Sequence, residues 1–273
     1  METKISAKQS GSVYWKEVWQ YRDLLYILSW RDIKVRYKQT LIGAAWALIR
    51  PLLTMLIFTF VFGKVAGLEA KSTIPYPLLV LAGVLVWQLI SSTISQSAAS
   101  LLGNERLITK VYFPRVLIPA STFATSLLDF FIAFFILLLF LFWFGQVPNW
   151  AILFLPVWLL LTLLFSLGLG LGLAALNVRY RDFRYALPFV LQLGLYVSPV
   201  GFSTQSIPDK WQFLYQMNPV VGLIDSFRWA VIGGEQIPFP LQSLSISFGA
   251  GLLFFFLGFR YFKHTEKTFA DII

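Results

Sequence analysis

Residues 117–144 read LIPASTFATSLLDFFIAFFILLLFLFWF, an apolar run broken by one charged side chain, Asp129. At about 1.5 Å of rise per residue, a helix of this length exceeds the ~30 Å hydrocarbon core of a bilayer. The run is long and otherwise uninterrupted, which reads as a membrane span. Similar runs cover 41–63, 78–100, 151–176, 187–203 and 241–262. Only 13% of the residues are charged, against about a quarter in soluble domains. The expected fold is an all-α membrane protein with six transmembrane helices over 41–262.

What joins the runs is as informative. Residues 101–119, LLGNERLITKVYFPRVLIP, set Arg106, Lys110 and Arg115 against one acid, Glu105. Pro114 and Pro119 keep a helix from passing straight into the next run. The pattern predicts a short helix over 104–113, capped by Asn104, with Glu105 beside its positive end. Residues 1–12 are polar and expected to be flexible. Over 13–40 aromatic and basic residues mix. Tyr26, Trp30, Ile33 and Tyr37 share one helical face, while Arg31, Lys34 and Lys38 share another. That predicts an amphipathic helix lying in the membrane interface; a small soluble domain is the other reading, but 13–40 is too short to bury a core.

Inside the runs, Arg50-Pro51 sits either within the first span or at the headgroups. Asp129 either pairs with a hydroxyl or arginine on a neighbouring helix or lines a pathway. The small, hydroxylated stretch 91–100 and the pairs Gly168/Gly172 and Ser166/Gly170 suit close helix packing. Over 204–240, Asn218-Pro219 starts a helix and Gly233-Gly234 stops it. About fourteen residues are too few to cross a bilayer, so short re-entrant or interfacial helices are expected between spans five and six.

Lys and Arg are placed unequally. Residues 1–40 hold eight, while 101–116, 177–186 and the end from Arg260 hold three each; the intervening connections at 64, 145 and 204 hold two, none and two. The first set is expected on the cytoplasmic side, with both termini there and 263–273 as a cytoplasmic tail. The net charge of +9 is read as this bias and as affinity for anionic lipid, not for nucleic acid. No apolar core with a small-residue cleavage site lies in the first forty residues, so no cleaved signal peptide is expected. There is no cysteine, one histidine, no metal-ligand spacing and no phosphate-binding loop. The chain is therefore expected to shape a path without energising it, and to be no enzyme.

The ordered segments TLIGAAWALIRPLL, NERLITKVYFPR, NVRYRDFRYALP, MNPVVGLIDSFRW and EKTFADII resemble the permease subunit of type II ATP-binding-cassette exporters. They are most similar to the polysaccharide branch, which exports O-antigen, capsule or teichoic acid. The resemblance implies a homodimer in the bacterial inner membrane, working with two separate ATPase subunits that bind the ATP; the chain itself needs no cofactor or metal. Asn104, Glu105, Arg106, Leu107, Lys110, Phe113 and Arg115 would form the coupling helix that docks the ATPase. Trp211, Asn218, Pro219, Asp225 and Arg228 would belong to re-entrant helices at the outer mouth. Sugar rings pack C–H faces on aromatics and their hydroxyls need partners, so Trp46, Trp87 and Tyr196, with Arg50 and Asp129, are candidates for a path taken by lipid-linked polysaccharide, and the hydroxyl run 91–100 is a candidate lining. An exporter of a drug, lipid or other small molecule, an ATPase-independent channel or carrier, and an intramembrane transferase are the alternatives.

Overall fold

The computed structural model describes residues 11–38, 45–71, 74–148, 150–180, 182–233 and 237–269. Among these, every regular element is helical. Expectations that fall on residues 1–10, 39–44, Arg181, Gly234 and 270–273, the end of the FADII segment included, lie outside the described residues.

Two helices open the chain, α1 (Gly11–Gln20) and α2 (Arg22–Lys38). The single helix expected over 13–40 is stepped at Tyr21, whose carbonyl accepts from the amides of both Leu24 and Leu25. Then come α3 (Ala45–Phe58), which continues as a π-helical segment Thr59–Val65, and α4 (Tyr76–Gly103). A six-residue α5 (Glu105–Lys110) leads to α6 (Leu117–Trp143) and α7 (Leu155–Arg179). The chain ends through α8 (Phe183–Val197), α9 (Asp209–Gln216), α10 (Pro219–Ile232) and α11 (Leu241–Thr265).

Among the described residues, five segments are long and apolar enough to cross a membrane: α3 with its extension, α4, α6, α7 with the turn before it, and α11 with the turn after it. The run at 187–203 gives only α8, fifteen residues or about 22 Å. Its end has a local cause: Pro199 bars the preceding residue from helical backbone, and Ser198 is extended, with φ −90° and ψ 154°. Two short helices, α9 and α10, precede the last span. Asn218 Oδ1 caps α10 by accepting from Val220 N at 3.0 Å, Pro219 occupies the first turn, and Gly233 closes the helix with φ 137°.

The bundle is built around α4, which packs against α3, α6, α7, α8 and α10. Residues 78–87 are buried without a break, as expected of a helix apolar on every side. Its second half uses small and hydroxylated residues instead. Ser97 Oγ lies 2.9 Å from Thr122 Oγ1 and 3.2 Å from Pro119 O on α6. A Cβ on Gly170 would come 2.6 Å from Ser97 Cβ, so α7 approaches there only because glycine leaves room. Gln96 donates to Ser126 Oγ at 3.0 Å and accepts from Thr125 Oγ1 at 2.8 Å; Asn177 Nδ2 donates to Ala98 O at 2.8 Å. Gly168 and Gly172 meet Gly258 where α7 crosses α11, the close approach that the GxxxG spacing predicts.

Candidate transport cavity and its basic end

A cavity of about 620 Å³ opens between the end of α2 and helices α3, α4, α6 and α8. Its aromatic wall holds Trp46 and Trp87, and its apolar wall Leu85, Leu191 and Leu195. Gln88, Ser91, Ser92, Ser95 and Gln96 from α4, with Gln192 from α8, line it with amides and hydroxyls. Trp87 is held by α8, since a Cβ on Gly194 would come 2.5 Å from its ring. Among the described residues, three charged side chains reach the lining: Arg36, Arg50 and Asp129.

Asp129 shows why a carboxylate survives in the most apolar run. Arg36 Nη2 lies 2.5 Å from its Oδ2, and the Tyr37 hydroxyl donates to Oδ1. Both carboxylate oxygens are thus engaged by the end of α2. This is the pairing with a neighbouring arginine and hydroxyl that the sequence left open, and the same group also faces the cavity. Arg50 remains on the exposed side of α3, its guanidinium 6.0 Å from the centre of the Trp46 ring. Of the five path residues singled out from sequence, the structure brings Trp46, Arg50, Trp87 and Asp129 to one cavity. Tyr196 lies outside it and stacks on Phe58, with ring centroids 6.2 Å apart.

Of the aromatic face of α2, only its C-terminal end meets α6, through Tyr37; the rest of the contact is made by a polar stripe. Leu28 is buried, Asp32 accepts from Ser121 Oγ at 3.2 Å, and Arg36 follows one turn later. Tyr26 and Trp30 point away from the bundle. Periodicity found the helix but only part of its inward face, because the polar residues Asp32 and Arg36 bond across to α6 together with Tyr37.

At the end of the bundle that gathers α1, α5 and the last residues, α5 is shorter than expected. Val111 is already extended, and Pro114 bars helical backbone just beyond it. Asn104 does not cap α5 with its side chain. Its Nδ2 donates instead to Ser100 O at 2.8 Å, which leaves the carboxamide on α4, while its backbone carbonyl receives Leu107 N and Ile108 N. Glu105, Arg106 and Lys110 are exposed and Leu107 is half-buried. Phe113 is buried in an apolar cluster with Ile108, Leu101 and Phe269. Arg115 is turned to the chain's own C-terminal segment. Its N–H donates to Glu266 Oε1 at 2.7 Å, its guanidinium donates to Glu266 O, and Tyr14 OH donates to Glu266 Oε2 at 3.2 Å. Burial first, and the Glu266 carboxylate second, push the Tyr14 phenol up. Lys263 sits over the Tyr14 ring at 4.5 Å, and the Phe262 and Phe269 rings pack edge-on at 5.3 Å. Sequence reasoning missed Tyr14 and Glu266 because each lies among charged residues that look solvated. It missed Gln88 and Gln192 although an amide in an apolar run is a readable signal.

At the opposite end, Arg228 is 2% exposed. It donates from Nε and Nη2 to Leu79 O at 3.1 and 2.9 Å, and reaches Val200 O and Phe202 O at 3.1 Å each. Asp225 Oδ1 lies 3.6 Å away and accepts at Oδ2 from Thr204 Oγ1 at 2.6 Å. The side chains of Asp225 and Arg228 therefore fasten α10 to α4 and to residues 200–204. Trp211, on α9, is exposed.

These features define a polytopic helical membrane protein with a polar, aromatic-walled internal cavity. The chain belongs to the ABC-2 type transporter family, whose description matches residues 23–232. It is 29% identical over 263 residues to the O-antigen export system permease protein RfbA of Myxococcus xanthus, covering 94% of this chain and 98% of that one. The protein of the same name from Klebsiella pneumoniae is 28% identical over 255 residues, 92% of this chain and 95% of that one. The polysialic acid transport protein KpsM of Escherichia coli is 26% identical over 247 residues, 87% and 92% of the two chains.

Proposed function

We propose that this chain is the membrane-spanning permease subunit of an ATP-driven exporter that carries lipid-linked polysaccharide out across the bacterial inner membrane. The observation that carries the reading is the near full-length likeness to permeases named for O-antigen export and polysialic acid transport. Two copies form the path and two separate ATPase subunits supply the energy. In this reading α8 crosses with the help of neighbouring chain, giving six spans, and the unequal placement of Lys and Arg sets both termini in the cytoplasm. The exposed side of α5, with Glu105, Arg106 and Lys110, docks the ATPase; α1 and α2 lie along the cytoplasmic interface; α9 and α10 ring the outer mouth.

The cavity suits that cargo. Sugar C–H faces pack on Trp46 and Trp87, while the amides and hydroxyls of α4 exchange hydrogen bonds with sugar hydroxyls. Its size holds a short stretch of polymer, so the chain advances in steps rather than being enclosed whole.

Co-reconstitution with the ATPase in vesicles tests the reading. ATP-dependent transfer of lipid-linked polysaccharide is the expected result, and transfer of small amphiphiles with no movement of the polymer overturns it. Charge reversal at Arg106 and Lys110 together should leave the bundle folded and reduce export at least about ten-fold, through loss of exposed docking charge. Undiminished export by that variant would remove α5 from the coupling role.

A further inference from the structure

Lipid offers an amide nothing in place of water, so a glutamine inside a membrane span needs a partner. Gln96 has two: it donates to Ser126 Oγ at 3.0 Å and accepts from Thr125 Oγ1 at 2.8 Å. Gln88, about two turns earlier on α4, and Gln192 on α8 line the same cavity, yet among the described residues neither side-chain amide has a hydrogen-bond partner. Gln88 is half-buried where every other residue from 78 to 90 is buried, because its side chain reaches the cavity. The indoles divide in the same way. Trp158 Nε1 donates to Leu223 O at 2.9 Å, while the indole N–H groups of Trp46 and Trp87, on the cavity wall, meet no acceptor among the described residues. Ser91 Oγ and Ser92 Oγ donate to the carbonyls of Gln88 and Leu89 at 3.4 and 3.3 Å, which leaves their oxygens as acceptors.

The cavity thus presents two amides that both donate and accept, two indole N–H donors and serine oxygens that accept, beside flat aromatic faces. A carboxylate would satisfy only the donors, and an alkyl chain would satisfy none. A pyranose ring answers all of them, because its C–H face packs on an indole while each hydroxyl both donates and accepts. We propose that Gln88 and Gln192 form a hydroxyl-reading subsite for a pyranose unit, with Trp46 and Trp87 as its ring faces, and that these two amides make the cavity accept sugar and reject alkyl chains. That the sugar belongs to a travelling polymer rests on the export reading. Selectivity follows from exchange with water. A sugar hydroxyl takes over the bonds that water makes to an amide, so entry and departure both cost little, as sliding requires. An alkyl chain displaces that water and replaces none of its bonds, which lowers affinity about ten-fold or more for each amide left unpaired. The apolar wall of Leu85, Leu191 and Leu195 would by itself take up acyl chains of the bilayer; the amides exclude them.

The test measures binding to the full-length chain in lipid nanodiscs, without ATPase or ATP, because sugar-headed detergents would compete for the subsite. The probes are unbranched pentasaccharides of glucose, galactose and mannose, and their per-O-methylated forms, which keep the rings but lose the hydroxyl protons. At least one free pentasaccharide should bind the wild-type chain. Gln88→Met with Gln192→Met, which keeps side-chain length, should weaken that binding at least about ten-fold, as the loss of two neutral hydrogen-bonding groups implies. The same double variant should bind the methylated form within about two-fold of wild type. Should the double variant fail to fold, Gln192→Met alone, at an exposed side chain, should weaken the free form about three-fold or more and spare the methylated one. Absence of binding by all three free pentasaccharides overturns the subsite. Unchanged binding by the folded variant removes the amides from it. An equal loss for free and methylated forms means that the amides only shape the wall, and overturns the reading of hydroxyls. Pentasaccharide binding by a protein that moves no polymer with ATPase and ATP overturns the export reading and supports the subsite.

Discussion

Arg228 is the side chain whose removal the fold should tolerate least. Its guanidinium serves three backbone carbonyls from two separate segments and lies against Asp225. Arg228→Met keeps the volume but leaves Leu79 O, Val200 O and Phe202 O without this donor and Asp225 without its charge partner. Breaking a buried pair from one side costs about 3–5 kcal/mol. Arg228→Met should therefore lower the thermal unfolding midpoint in detergent sharply, and Arg228→Lys should recover only part, because an ammonium cannot reproduce the fork. A wild-type midpoint for Arg228→Met would show that these carbonyls find other partners. The sequence marked Arg228 as a residue near the outer mouth. It could not show the burial, because the carbonyls that receive the guanidinium lie up to 149 positions away.

Among the elements, the crossing of α7 and α11 depends on two glycines more than on any large side chain. A Cβ on Gly258 would overlap the carbonyl of Gly168, and one on Gly168 would strike the backbone of Phe255. At Gly172 the nearest atom is Gly258 Cα, 3.5 Å away, an ordinary contact. Gly258→Ala should thus destabilise by about 1–3 kcal/mol through forced separation of the helices, while Gly172→Ala stays near wild type. Thermal unfolding of the two variants side by side decides it, and equal midpoints would sink the claim. The close approach made by α7 was legible in the sequence, though not its partner α11, as were five of the six expected spans, because small-residue spacing and apolar length are local properties. The step at Tyr21, the early end of α5 and the inward face of α2 were not. The inward face of α2 is set by partners elsewhere: Asp32 and Arg36 turn inward because Ser121 and Asp129 wait on α6. The candidate cavity was half legible for the same reason. Its aromatics announce themselves, whereas Arg36 becomes a cavity residue only once α2 folds back against α6.

For the molecule as a whole, the end that bears α5 is braced by three segments far apart in the chain. Glu266 sits where they meet, taking the Arg115 amide at the entry to α6 and the Tyr14 hydroxyl from α1, while Phe269 and Phe262 fill the apolar cluster beneath. Tyr112, next to α5, is held above its usual pKa by partial burial, with Glu17 of α1 hydrogen-bonded to it, a second tie between the same elements. A push on α5 would then reach α6, α1 and α11 together, because Glu266 joins their ends, instead of bending the 111–116 connection alone. If α5 is where the ATPase acts, Glu266→Ala should leave ATP hydrolysis by the assembled complex close to wild type and lower export at least about five-fold. Tyr14→Phe, which removes one bond of the cluster, worth about 1 kcal/mol, should fall between the two. Hydrolysis and export measured on the same vesicles give the ratio that matters. A parallel fall in both would mean that Glu266 only supports assembly, and an unchanged ratio in the alanine variant would show that motion leaves α5 by another route.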